Sequence, residues 1–126
     1  MTLNQTLLEN VQEFKKESEK AKADNAYNSA VTLCFKAVAV LVDLFLLKKE
    51  GFIPKNHTER FEILRAKHKQ VYLVLDKIFP LYQQSYRLKM GLQQLEVIEN
   101  EFRKLAEITG IDISNKKNSS QEQTNL

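Results

Sequence analysis

Leu3, Leu7, Val11 and Phe14 recur at steps of three or four, and the pattern continues through the small residues Ser18 and Ala21. That spacing lines one face of a helix and predicts helix over residues 3–22. Asp24 and Asn25 are capping-type residues, and the pattern restarts after them, which predicts a tight turn. A second helix starts near Ala26 and is apolar on most sides from Val31 to Leu47, as expected of a helix covered by several neighbours. Gly51 ends it as a C-cap, behind Lys48 and Lys49 in the dipole-favoured last turn. Beyond Pro54, either Asn56 with Glu59 or Thr58 alone can cap a third helix, whose stripe of Phe61, Leu64, His68, Val71, Tyr72, Leu75 and Ile78 stops near Pro80. From Leu81 a last helix carries Leu88, Leu92, Leu95, Ile98, Phe102, Leu105 and Ile108 and ends at Gly110, either running through Gly91 or broken into two there. The expected fold is all-α: an antiparallel up-and-down bundle of four long helices over residues 1–111, followed by a polar, disordered tail over 112–126.

Composition narrows the class further. A chain of 126 residues, 43% hydrophobic and 28% charged, is one domain able to bury a core without disulfide or metal. Three Gly and two Pro suit long helices and exclude a β-sandwich. The net charge of +3 does not by itself point to nucleic acid. The single Cys34 lies in an apolar run, and the N-terminus lacks the basic, apolar and small-residue blocks of a signal peptide, so the expected location is the cytoplasm. The one segment apolar enough for a membrane, 26–47, contains Lys36 and Asp43 and reads instead as a core helix.

The inventory excludes most site chemistry. His57, His68 and Cys34 are the only histidines and cysteine, too few for a zinc site without carboxylates. Arg65 and Pro54 stand three residues before the two histidines, where a di-iron bundle needs Glu. The glycines are isolated, so no phosphate-cradling loop exists, and Cys34 reads as an inert core thiol. No metal and no cofactor is expected. His68 has two readings: a core-edge histidine bonded to a carbonyl or water, or a cleft histidine kept neutral by the cations around it. Between Lys48 and Lys77 eight Lys or Arg face four Asp or Glu, so this third of the chain is locally basic. Tyr82, Tyr86 and Met90 form a second apolar line with Arg87 and Lys89 interleaved, a pattern that fits a subunit interface or a stacking surface for single-stranded nucleic acid.

The run AYNSAVTLCFKAVAVLVDLFLLKKEGFIPKNHTERFEIL, an Ala-rich helix ending in Gly, then a Pro loop and a Thr or His at the next helix start, resembles the HEPN domains of prokaryotes. The later IFPLYQQSYRLKMGLQQLEVIENEFRKLAEITG is similar to the second half of that family. The resemblance covers residues 5–110 and implies a four- or five-helix bundle. It also implies a homodimer, a minimal nucleotidyltransferase as partner in a toxin-antitoxin pair, and ribonuclease activity in members that carry an Arg, four to six residues and a His. Here seven residues separate Arg60 from His68, two separate Arg65 from His68, and no His follows Arg87. No residue is therefore carried over as catalytic, and only the cleft region near residues 79–92 transfers. The expectation is a non-catalytic HEPN-like binding module that contacts nucleotide or RNA through Arg60, Arg65, His68, Arg87 and Lys89, and a second subunit or partner through Tyr82, Tyr86 and Met90. One alternative is a divergent metal-independent ribonuclease with His68 as base and Arg65 or Arg87 at the phosphate; another is a purely structural interaction bundle.

Overall fold

The first helix begins where the sequence can satisfy its free amides. In the computed structural model, which describes residues 1–114, α1 (Leu3–Ala23) opens on Thr2, whose hydroxyl accepts from the Gln5 amide at 3.1 Å while Gln5 Oε1 accepts from the Thr2 amide at 2.8 Å. Asn25 takes a left-handed conformation, φ 58°, which Asn tolerates better than other residues with a Cβ, and the chain turns into α2 (Tyr27–Glu50). Ser18 is buried between the two helices and donates to the Ala30 carbonyl at 2.7 Å, so its hydroxyl is satisfied where the backbones come close.

Half of α2 is buried, and α1, α4 and α5 all pack against it. Phe35, Leu41, Leu44 and Leu46 are among its fully covered side chains. α2 is also long and apolar enough to cross a membrane, but 67% of its most apolar window is buried inside the protein, as suits a core helix. It ends at Gly51 in a left-handed conformation, φ 88°, which a residue with a Cβ adopts only with strain.

Five helices follow in order where four were expected: α3 (His57–Lys67), α4 (Lys69–Gln84) and α5 (Leu92–Thr109) complete the set, and every regular element among the described residues is helical. The predicted third helix is divided at His68. Its backbone leaves the helical region (φ −138°, ψ 69°) and serves as C-cap of α3 and N-cap of α4 together, because its ring is drawn onto the edge of Phe45 and onto Glu50 at the end of α2. Pro80, expected to stop the helix, lies inside α4. The hydrogen bond its missing N–H forfeits is the one to the Asp76 carbonyl, and both Asp76 and Pro80 lie on the exposed side of α4, so the loss does not fall in the core. The last helix consequently starts at Leu92, not Leu81, and the ambiguity at Gly91 resolves as a break: Gly91 is the N-cap, with its amide donating to Gln94 Oε1 at 2.8 Å.

The α4–α5 connection is held from α2. Asn28 Nδ2 donates to the carbonyls of Ser85 (2.9 Å) and Leu88 (2.7 Å), its Oδ1 accepts from the Met90 amide (3.0 Å), and the Thr32 and Ser85 hydroxyls meet at 2.8 Å. This clamp turns Met90 inward until it is only 5% exposed. Met90 therefore belongs to the core and not to the outward line expected with Tyr82 and Tyr86. At the other end α5 closes on Gly110, φ 71°, and the first residues of the expected tail are tied down: Gln12 donates to the Ile113 carbonyl at 2.9 Å, and Asp112 accepts from the amide and hydroxyl of Ser114. Residues 115–126, the rest of that expectation, lie outside the described residues.

Removing the Asn28 side chain leaves two carbonyls and one amide without their partner. Asn28→Ala should cost about 1–2 kcal/mol in urea unfolding and speed hydrogen exchange at the Met90 amide.

Candidate functional site

Asp43 lies in the middle of the most apolar helix and has to be met by a cation, since a lone buried carboxylate is strongly disfavoured. Asn56 starts α3 close by: its Oδ1 accepts from the Glu59 amide at 2.9 Å, and Glu59 in turn accepts from the Lys55 amide at 2.8 Å. One turn into α3, Arg60 reaches Asp43 with both arms of its guanidinium, Nε to Oδ1 at 2.7 Å and Nη2 to Oδ2 at 2.9 Å. The Arg60 residue is only 7% exposed. Its remaining nitrogen, Nη1, lies 2.7 Å from His57 Nδ1.

A guanidinium can only donate, so His57 Nδ1 accepts and the imidazole is neutral with its proton on Nε2. Burial, then the Arg60 charge, hold its pKa below 6.5, partly opposed by Asp43. The ring is fixed at the root of an aromatic series. Phe35 and Phe79 lie 6.0 and 5.2 Å from it, Tyr82 stacks on Phe35 at 4.4 Å, and Tyr86 meets Tyr82 edge-on at 5.3 Å with the two hydroxyls 2.6 Å apart. The Tyr82 phenol is pushed up to about 12 by the Tyr86 hydrogen bond and by burial. The series runs from the fully buried Phe35 to Tyr86, which is 65% exposed.

The five basic residues expected at the site divide into four groups. Arg60 is spent inside, on Asp43 and His57. His68 Nε2 is 2.8 Å from Glu50, whose carboxyl is held below its ordinary range by His68 and by Lys67 at 3.1 Å, so this histidine ties the α3–α4 junction to the end of α2. Arg65 lies over the Tyr72 ring at 5.7 Å, with Lys69 over the same ring at 5.4 Å. Arg87 and Lys89 are exposed in the α4–α5 connection beside Tyr86, and among the described residues neither enters an ion pair. Arg87 also borders an open hollow of about 390 Å³ with Pro80, Gln83, Gln84 and Leu88. Part of the local basicity is thus absorbed within the chain, Lys48, Lys49 and Lys55 stay exposed, and Arg87 and Lys89 follow the exposed Tyr86 in the chain.

His57 and Asp43 escape sequence reasoning as site residues. The available signal is an acid isolated in an apolar helix, which demands a basic partner without saying which. Among the described residues no group of three or more His, Cys, Asp or Glu is placed to hold a metal ion. Burial raises the Cys34 thiol to about 11, far from a reactive thiolate. Compared with protein-family models, curated proteins and solved structures, the chain matches none.

Truncating Arg60 strands the Asp43 carboxylate. Arg60→Ala should lose about 3–5 kcal/mol, whereas Asp43→Leu combined with Arg60→Leu should recover most of it, both read by denaturant unfolding. A histidine whose native pKa lies below its unfolded value favours the folded state at neutral pH and loses that contribution as pH falls from 6.5 through the native value. Wild-type stability should therefore drop between pH 7.5 and pH 5 by more than that of a His57→Gln variant.

Proposed function

We propose that the chain is a non-catalytic HEPN-like binding module of the cytoplasm, its helices running up and down in antiparallel order. In this reading it acts as a homodimer beside a nucleotidyltransferase partner and binds RNA or nucleotide in single-stranded form. The observation that carries the reading is the exposed end of the aromatic series: Tyr86, supported from behind by Tyr82 and Phe35, with the unpaired Arg87 and Lys89 next to it. A rigid ring offers a base a stacking partner whatever the base, and adjacent cations neutralise the phosphates on either side.

The non-catalytic assignment is supported by how the chain uses its histidines. His57 carries its proton on Nε2 and accepts on Nδ1, so neither nitrogen is free to take a proton while Arg60 is bound. His68 is engaged with Glu50, and Arg65 with Tyr72, instead of facing one another across a cleft. The toxin-antitoxin setting rests on the family resemblance alone, and co-purification with a nucleotidyltransferase is its direct check.

Fluorescence anisotropy with a labelled single-stranded RNA tests the surface. Tyr86→Ala should weaken binding by about 1–3 kcal/mol, and Arg87→Gln or Lys89→Gln should each lower the salt dependence of binding by about one unit of slope. Unchanged affinity in all three variants refutes it.

A further inference from the structure

Among the rings that lead out to Tyr86, the imidazole of His57 is the one that takes up a proton in mildly acidic water. Its half-buried ring lies 6.0 Å from Phe35, 5.2 Å from Phe79 and 6.0 Å from Tyr82. Tyr82 in turn positions Tyr86 through ring contact and a shared hydroxyl hydrogen bond. The neutral imidazole is kept in this place by one polar contact, the acceptance of a proton from Arg60 Nη1 by Nδ1 at 2.7 Å.

We infer that His57 is an acid-operated latch: a proton on Nδ1 expels the imidazole from the aromatic series, and the stacking surface at Tyr86 loosens with it. Once Nδ1 is protonated, two donors face each other with no acceptor between them, so the hydrogen bond ends. Arg60 is not the partner that yields. Its Nε and Nη2 are fixed on Asp43 at 2.7 and 2.9 Å, and withdrawing them strands a buried carboxylate. The groups that face the ring also oppose its new charge. Arg60 faces it from α3, Lys36 and Asp43 act on it from α2, and the Tyr82 phenol on α4 is neutral throughout this range. Asp43 attracts an imidazolium, but Arg60 already engages both of its oxygens. His57 is moreover the first residue of α3, at the positive end of the helix dipole. Solvent is the destination left to a protonated ring that is already half-buried.

The release is local. Asn56 still caps α3 through the Glu59 amide, and the Arg60–Asp43 pair still fastens the helix to α2, so one side chain leaves while α3 stays docked. The space it vacates borders Phe79 and the fully buried Phe35. Tyr82 is stacked on Phe35, so it repacks toward the gap and its hydroxyl contact with Tyr86, 2.6 Å in the closed state, lengthens. A ring without fixed support behind it must be ordered before a base can stack on it, which weakens binding. Simple electrostatics has the opposite sign: protonating histidines makes the chain more positive and by itself tightens its hold on a polyanion.

The effect on binding rests on the single-strand reading proposed above, whereas the movement of the latch does not. NMR of the full chain, labelled in its His and Tyr rings, follows the movement. As His57 titrates, the Tyr82 and Tyr86 signals should shift with the same midpoint, while Tyr27, bonded to Asn25 at the start of α2, should not follow. In His57→Gln, whose side chain can still accept from Arg60 but takes up no proton, those tyrosine shifts should vanish. Anisotropy with labelled oligouridine, whose bases take up no proton in this range, reads the binding. Affinity should be about fivefold or more weaker at about one pH unit below the NMR midpoint than at pH 7.5, and His57→Gln should abolish that ratio. Tyrosine shifts that follow His57 without oligouridine binding at either pH support the latch and overturn the single-strand reading. Tyrosines that stay still while His57 titrates, a His57 that titrates only as the whole chain unfolds, or an affinity that rises on acidification overturns the inference.

Discussion

One carboxylate organises the functional side of this molecule. Asp43 lies on the helix that supplies most of the core, where an unpaired negative charge is several kcal/mol out of balance. The bidentate Arg60 answers it, and because Arg60 lies one turn into α3, the start of that helix is fastened to the middle of α2. The guanidinium has a donor left over, which fixes His57 in one tautomer. His57 then occupies a set place among Phe35, Phe79 and Tyr82, and the series ends at the surface in Tyr86. A buried charge, a capped helix and an exposed ring are thus steps of one chain of constraints.

Helix existence was readable wherever a long apolar stripe coincided with a capping signal. α1 and α2 follow their patterns closely, with Asn25 at the turn and Gly51 at the end, and Asn56 with Glu59 starts α3. The errors fall where local patterning was overridden by contacts distant in sequence. His68 keeps phase with its stripe, yet its ring is pulled to Glu50 and Phe45 and the helix divides. Pro80 reads as a stop, but a proline forfeits one hydrogen bond, and here that loss falls on the exposed side of α4. Met90 shares a spacing with Tyr82 and Tyr86 only if the helix continues; the clamp from Asn28 ends that continuity and turns it inward.

The site was less legible than the fold for a related reason. Arg60, Arg65, Arg87 and Lys89 share a positive charge, and sequence alone does not say which of them, or whether the neutral His68 beside them, faces a ligand. Three-dimensional pairing sorts them. Asp43 takes Arg60, Glu50 takes His68 and the Tyr72 ring takes Arg65, whereas Arg87 and Lys89 in the α4–α5 connection stay exposed outside any ion pair among the described residues.

The same sorting by charge sets the rotation of α5. Glu99 and Glu101 are both nearly covered, one answered by Lys22 of α1 at 3.2 Å and the other by Lys77 of α4 at 2.9 Å, so the helix is held from its two flanks. Turning α5 to bury Val97 or Ile108 pulls these carboxylates away from their lysines while they are still partly desolvated, a loss larger than burial of one more aliphatic side chain returns. Leu92, Val97 and Ile108 stay outside because the acids cannot move. The exposed aliphatic side chains of α5, Leu92 on the flank of Glu99 and Val97 with Ile108 on the flank of Glu101, are therefore a consequence of how the helix is locked, not of a shortage of core.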